Sequence, residues 1–397
     1  MATLMSYFAP PIAGEWGDEA EDNTDGVPVL RTTNFTADGR LSYDDLTYRS
    51  IDTEKKENKI LQPGDIIIEK SGGTPKKPVG RCVYFDRDDD YDYFCSNFTA
   101  ILRANTEDVN TKYLWYLLQE HYKTRQCLKY QYKTNGIANL DIKDYLSHKE
   151  VELPPREVQD KRVEAMDYSQ YLLDLHQELL EIMDNAVKSR FVEMFGDPVT
   201  NPMKWPIKRF KDICTVGSSK RVYQSEQTSA GVPFLRVSDL ISKIVSNTET
   251  CDLYISEQQF NEFKQQGLVP NAGDILVTAR GTLGQCYIIK PKDKFYFQDG
   301  MISWVHTSEA EINPVYVSYL FDSQGIRQQI DKVVSGTTVA YLSIAQLSNF
   351  DILLPAIELQ NQFADFVAFT DKSKLTIQKS MDNLQELRDS LLQEYFG

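Results

Sequence analysis

One pattern occurs twice along this chain, and that repetition constrains the fold more than any other feature. Gly26-Val27-Pro28-Val29-Leu30-Arg31 returns as Gly231-Val232-Pro233-Phe234-Leu235-Arg236. Pro63-Gly64-Asp65-Ile66-Ile67-Ile68 is answered by Ala272-Gly273-Asp274-Ile275-Leu276-Val277, and Val79-Gly80-Arg81-Cys82 by Leu283-Gly284-Gln285-Cys286. Leu153-Pro154 matches Leu354-Pro355, and Phe195-Gly196 matches Phe396-Gly397. The order is kept throughout. Solenoid units run roughly 20 to 50 residues, so a period of about 200 describes a tandem pair of domains. Two similar folds carrying different side chains suit a molecule that binds two similar things at once.

The 397 residues hold two or three domains of ordinary size, and 41% hydrophobic with 25% charged residues is a globular composition. No run of about 18 apolar residues is present, and Met1 to Gly14 lacks the charged start of a signal peptide, so the expected location is the cytoplasm. Cys82, Cys95, Cys127, Cys214, Cys251 and Cys286 form no C-x-x-C pair, and His121, His148, His176 and His306 are scattered, so no metal site is expected. Cys82 and Cys286 hold equivalent places after a glycine and read as small buried hydrophobes. A net charge of −15 argues against nucleic acid, but its distribution weakens the argument. Acid concentrates at Glu15 to Asp25 and Asp86 to Asp92, whereas His121 to Leu140 carries Lys123, Arg125, Lys129 and Lys133 with no carboxylate. Lys204 to Arg221 is a second basic stretch, interrupted by Asp212 alone. Local sign governs phosphate contact; net charge governs solubility and steering.

Each repeat reads as a mixed, mostly β, domain followed by one long helix, an α+β arrangement. Short apolar runs such as Asp65 to Ile68 and Asp274 to Val277 end at Ser71-Gly72-Gly73 and Arg280-Gly281, as strands do. Thr111 to Gln119 and Pro314 to Phe321 read as equivalent short helices. The expected organisation is a domain over 1–155, a helix over 156–196, a linker over 197–205, a second domain over 206–355 and a second helix over 356–397. In the first helix Tyr168, Leu172, Leu175, Leu179, Ile182 and Ala186 recur as a heptad seam, flanked by Leu173, Leu180, Met183 and Val187. The second carries Phe363, Phe366, Ile377, Met381, Leu384, Leu391 and Tyr395, with Thr370 and Ser373 between. A helix of about 40 residues is roughly 60 Å long and needs a long partner, so the two are expected to pair antiparallel as a coiled coil. The residues assigned to helix pairing and to a partner interface are Leu172, Leu175, Leu179, Ile182, Met183, Ile377, Met381, Leu384 and Leu391. The alternative is that each helix caps only its own domain.

Several segments imitate catalytic motifs and fail on spacing. Asp65 with Glu69-Lys70 lacks one residue of a nuclease cluster, and its counterpart is Asp274 with Thr278-Ala279-Arg280, so the shared Gly-Asp reads as a turn into a strand. Asn201-Pro202-Met203-Lys204 lacks the second proline and the aromatic residue of an amino-methyltransferase loop. Gly72-Gly73-Thr74-Pro75-Lys76-Lys77 lacks the G-K-[ST] ending of a P-loop. No catalytic residue is assigned. What remains are basic and polar loops interleaved with aromatics. Side chains of these types bond base edges in the major groove or hold phosphates. The candidates for DNA binding are Arg31, Thr33, Asn34, Lys70, Ser71, Arg81, Asn97, Lys129, Lys133 and Asn135 in the first repeat. In the second they are Arg221, Arg236, Ser238, Arg280, Thr282, Gln285 and Thr337. The frame around them repeats while the polar residues differ, which is what reading two different sequences requires.

Gly14-Glu15-Trp16-Gly17, Val29 to Phe35, Gly64 to Gly73, Pro78 to Arg81, Phe191 to Pro198 and the Phe396-Gly397 ending together resemble the specificity subunit of type I restriction-modification systems. The resemblance implies two target-recognition domains, each reading one half of a split, asymmetric site on double-stranded DNA. It implies an antiparallel coiled coil that spaces them, and a chain that is not itself an enzyme. Two modification subunits, using S-adenosylmethionine to methylate adenine N6, and two restriction subunits, using ATP and Mg²⁺ to translocate and cleave, are the implied partners. This chain itself would bind no cofactor. The second repeat opens with Trp205-Pro206 and Phe210-Lys211-Asp212-Ile213, a usual family start, whereas the first has only Ile12 and an acidic run, so its first strand is expected to be built differently. A rival reading is a duplicated protein-interaction scaffold that never touches DNA. A third, that the chain is itself a methyltransferase or nuclease, lacks any catalytic constellation.

Overall fold

A computed structural model describes residues 2–20, 26–74, 77–105, 108–246, 251–308, 310–335 and 340–397. It divides into two compact units, Met1–His176 with Lys379–Gly397, and Gln177–Gln378. Each contains a sheet-rich body and part of both long helices, Arg156–Phe195 and Ile357–Phe396. No helix among the described residues is long and apolar enough to cross a membrane.

The first unit is built on a four-stranded antiparallel sheet in the order Ile12–Ala13, Thr99–Leu102, Ile66–Glu69, Cys82–Tyr84. The central strands are apolar on both faces. Ile66 and Ile68 face one hydrophobic cluster and Ile67 the other, as the two-residue pleat period requires. A second sheet runs Asp18–Glu19, Thr47–Ser50, Val27–Leu30, Phe94–Cys95, with its last pair parallel. The second unit repeats both topologies. Thr215–Gly217, Ile302–His306, Ile275–Thr278 and Cys286–Ile288 form one sheet. Gln227–Thr228, Tyr254–Ile255, Val232–Leu235 and Tyr296–Phe297 form the other, again ending in a parallel pair.

The Gly-Asp turns behave alike in both units. Gly64 and Gly273 take φ of 97° and 93°, where a side chain would be strained, and the following aspartates are buried. Asp65 accepts the Gln62 N–H and Asp274 the Asn271 N–H, each at 2.8 Å, which closes the turn into the strand. The beginning of the first repeat corrects the sequence expectation. Ala2–Thr3 pairs with Glu150–Val151 just as Ile207–Arg209 pairs with Asp351–Leu353. Leu4 N–H donates to Lys149 O and Phe210 N–H to Phe350 O, both at 2.9 Å. Leu4 therefore does for one core what Phe210 does for the other, and a two-residue strand leaves no pattern for a sequence to reveal.

The junction between short and long helix is also duplicated. Asn110 caps the helix Thr111–Lys123 and Asn313 caps Pro314–Asp322. Gln159, on the first long helix, accepts the Asn110 N–H at 2.9 Å and donates to Pro154 O at 2.8 Å; Gln360 treats Asn313 and Pro355 identically. In the first unit Val163 and Met166 share a core with Leu392 and Phe396. Arg162 donates to Tyr395 O, and His176 lies 3.2 Å from the Ser380 hydroxyl. Numbers rise along one helix as they fall along the other, so the two segments run antiparallel. In the second unit Val187, Phe191 and Phe195 join Phe363 and Val367, and Lys374 pairs with Asp184.

This packing corrects the seam assigned to the first helix. Leu175, Leu179 and Ile182 are exposed, Leu172 and Met183 are half-buried, and the stripe that packs is Val163, Met166, Leu173, Leu180, Met183, Val187 and Phe191. Two neighbouring apolar stripes satisfy the same period, and burial goes to the one rotated toward the cores. On the second helix Ile377, Met381, Leu384 and Leu391 are all half-buried.

Candidate nucleic-acid interface

In each unit three backbone hydrogen bonds draw separate loops to one place. In the first, Ser96 N–H donates to Leu30 O at 2.9 Å, Lys70 N–H to Phe98 O at 2.9 Å, and Leu140 N–H to Lys70 O at 2.8 Å. In the second, Gln298 bonds Leu235, Ala279 bonds Met301 and Leu342 bonds Ala279, at 2.9, 2.9 and 3.0 Å. The backbone frame is common; the side chains it carries are not.

The first unit thereby gathers the loop Arg31 to Thr33, Lys70-Ser71, Asn97 and the segment Lys129 to Asn135. Thr33, Asn97, Lys129, Lys133 and Asn135 are exposed, and Lys70 and Ser71 are half-exposed. Two candidates have other work. Asn34 is buried; its oxygen accepts the Arg31 N–H at 2.9 Å and its amide donates to Ser42 O and Asp45 O, so it ties the loop. Arg81 forks onto the buried Glu69 at 3.0 and 3.2 Å, donates to Thr32 O and lies over the Phe35 ring. Its bonds to Glu69 raise its pKa further and hold it as a brace beneath the Thr33 loop. Arg31 pairs with the exposed Asp45 at 2.9 Å, a contact weak enough to exchange.

In the second unit Arg221 pairs with Asp299 at 2.9 Å and Arg236 with Asp239 and Asp252 at 3.1 and 2.6 Å. Ser238, Arg280 and Thr282 are exposed, and Arg280 lies over the Tyr341 ring at 5.4 Å. The buried Thr278 stands where the first unit has Glu69. Its hydroxyl accepts the Gln285 N–H at 2.9 Å and donates to Thr282 O at 2.5 Å, so a neutral group ties the loop that Glu69 and Arg81 brace in the first unit. Thr337 lies outside the described residues.

Beside the assigned candidate Lys129 stand groups that the sequence reading did not assign to DNA binding: Phe98, Tyr132, Arg125, Lys149 and Lys220. Phe98 and Tyr132 are about half exposed, at 49% and 54%, beside Asn97 and Lys133. Arg125, Lys129 and Lys149 line an open depression of about 380 Å³ with Gln126 and Leu128 and no carboxylate. Burial, and then the neighbouring Lys129, push the Lys149 ammonium pKa down. Lys220 is exposed above Phe263. Arg125, Lys129 and Lys220 fall in the two basic stretches of the sequence; the signal for Phe98 and Lys149 lay in exposure and convergence, which no linear pattern carries. The chemistry on offer is donors for phosphates and base edges around a rigid frame.

Comparison with known proteins bears on this surface. The family model described as "Type I restriction modification DNA specificity domain" matches residues 13–182 and 202–387. The chain is 27% identical over 192 residues to S.HindORF215P of Haemophilus influenzae, assigned as a type I restriction enzyme specificity subunit, and the match spans 46% of each chain. It is 26% identical over 307 residues to the type I restriction enzyme MjaVIII specificity subunit of Methanocaldococcus jannaschii, covering 72% of this chain and 67% of that one. Among solved structures, a chain from work on complex assembly and conformational transition of the type I R-M system superposes with a TM-score of 0.60 at 15% identity, covering 100% of this chain and 96% of that one. The type I restriction-modification S subunit from M. genitalium gives 0.53 at 15% identity, with 100% and 95% covered. At such identity these structures speak for the α+β fold alone.

Proposed function

The chain belongs to the type I restriction-modification DNA specificity family, and we propose that each of its repeats reads one half of a split, asymmetric site on double-stranded DNA. The body within 1–155 would read the first half and that within 206–355 the second. Helices 156–196 and 356–397, joined by the linker 197–205, would form an antiparallel coiled coil that sets the gap between half-sites. One observation carries this reading: the same backbone frame presents different exposed side chains in the two units. Phosphate contacts from groups such as Lys129 and Lys133 supply salt-dependent affinity, and base-edge contacts supply discrimination. The chain performs no chemistry of its own. Two modification subunits with S-adenosylmethionine methylate adenine, and two restriction subunits with ATP and Mg²⁺ cleave, at the place this subunit selects in the cytoplasm.

The test is methylated-base mapping of DNA from cells carrying this chain with its modification subunit, against cells lacking the chain. The expected result is a split motif that depends on the chain, with adenine methylated on both strands. Exchanging residues 206–355 for those of a relative then changes one half-site and leaves the other; a change in both halves would end the one-domain, one-half model. The exposed apolar stripe Tyr168, Tyr171, Leu175, Leu179 and Ile182 favours a second reading, a protein scaffold. A salt-sensitive gel shift with the modification subunits separates them, since a scaffold adds no sequence preference.

A further inference from the structure

The segment Gln131–Thr134 pairs antiparallel with Ile137–Leu140, and the second strand pairs in turn with Ser71–Gly73. The turn is Asn135-Gly136, both with positive φ, 51° and 80°, the left-handed conformation that asparagine and glycine tolerate and that matches strand twist in a two-residue hairpin. The base of this ribbon is anchored. Gln131 donates to Val79 O at 2.8 Å, Leu140 is buried in the core, and the Ser71 hydroxyl bonds the Asn139 side-chain oxygen. The far end is free, with Tyr132, Lys133, Thr134, Asn135, Gly136 and Ile137 all exposed.

The pleat sorts these residues. Tyr132 stands opposite Asn139 and Thr134 opposite Ile137, so these four share one face, while Gln131, Lys133, Ala138 and Leu140 share the other. We propose that the tip of this ribbon enters the major groove of the first half-site, with Tyr132, Thr134 and Ile137 as specificity-determining residues; this rests on the DNA-reading function proposed above. A two-stranded ribbon fits the major groove, where a hydroxyl can bond a base edge and an apolar group can meet a thymine methyl. Exposed isoleucine and tyrosine on a protruding hairpin gain from such a partner and from water gain nothing. Charge names the occupant: the sequence from His121 to Leu140 holds four Lys and Arg and no carboxylate in a chain of net charge −15. Lys133, on the reverse face near the tip, and Lys129 at the base are placed to meet the phosphates that flank the groove. Asn139 and Ser71 act as positioning residues, holding the ribbon at its anchored end.

The experiment uses the full chain with its modification subunit and maps methylated bases for the wild type and for Thr134→Ala and Ile137→Ala. Exchange of residues 206–355 identifies which half belongs to which repeat. The expected result is a first half-site that loses preference at one or two positions by about 10- to 100-fold, beside an unchanged second half. The unchanged second half shows that the complex has assembled; if an alanine variant gives no methylation at all, Thr134→Ser and Ile137→Val are read by the same criterion. A split motif whose first half is identical in every variant overturns the ribbon and leaves the specificity function standing. A wild type with no split motif overturns that function, and the ribbon with it.

Discussion

Asp65 and Asp274 occupy the same place in the two repeats, 1% and 0% exposed, and satisfy their carboxylates by different means. Asp65 faces Arg103, whose guanidinium donates twice at 2.8 and 2.7 Å. Asp274 takes its bonds from Trp304 Nε1 at 3.0 Å and from the Ser308 amide and hydroxyl at 3.1 and 2.8 Å. Glu69 with Arg81, against Thr278 with Gln285, repeats the contrast one turn further on. What the fold requires is an acceptor that closes the turn before the strand. How the remaining lone pairs are filled is left to each copy: at these two positions the first repeat uses ion pairs and the second neutral donors, while at the turn closed by Asn34 in the first repeat the second has Asp239 paired with Arg236.

The largest effect should come from removing the charged partner. Arg103→Ala leaves a buried carboxylate unpaired and should destabilise by about 3–5 kcal/mol, whereas Trp304→Phe removes one neutral donor of several and should cost about 1–3 kcal/mol. Chemical denaturation of both variants measures this, and equal losses would break the contrast. Next comes acid. The buried His121 lies 2.8 Å from the Tyr145 hydroxyl, and burial, with Lys149 adding to it, pushes its pKa down to about 3. The unfolded chain takes up this proton near pH 6.5 and the folded chain does not, so the contribution of His121 is fully present above about 6.5 and is eroded as pH falls toward about 3. Between pH 7 and pH 5 the loss should be about 2 kcal/mol, and His121→Gln should abolish that increment; a variant with unchanged pH dependence would place the acid sensitivity elsewhere.

Smaller effects sharpen the points where the repeats agree. Gln159→Ala and Gln360→Ala cut identical pairs of hydrogen bonds at the two helix junctions and should each cost about 1–2 kcal/mol. Loss of one with tolerance of the other would show that the junctions differ despite equal geometry. Smallest of all, Arg40→Ala removes an exposed fork onto Asp174, at 2.7 and 3.0 Å, and should shift stability by less than about 1 kcal/mol, read as a change in denaturation midpoint that shrinks with added salt.

Much of this was legible in the chain. Gly64-Asp65 and Gly273-Asp274 announce a turn and a strand because only glycine tolerates the backbone there and an aspartate closes the turn locally. The duplicated order of such signals determines a duplicated α+β body followed by long helices, whereas the hairpin at Asn135-Gly136 was read from the structure and not from the sequence. The tertiary structure decided what depends on distant neighbours. Leu173, Leu180 and Val187 are as apolar and as periodic as Leu175, Leu179 and Ile182, and only the rotation of the helix against the two cores selects the first set. Asn34 and Arg81 have the chemistry of DNA contacts, yet Ser42, Asp45 and Glu69 claim their side chains through bonds that no local pattern encodes. Leu4 takes the place of Phe210 through a strand only two residues long. Local conformation is set by a residue and its immediate neighbours and can be read from the sequence; which of two equivalent surfaces is buried is set by packing across the chain, where the free energy of burial is settled.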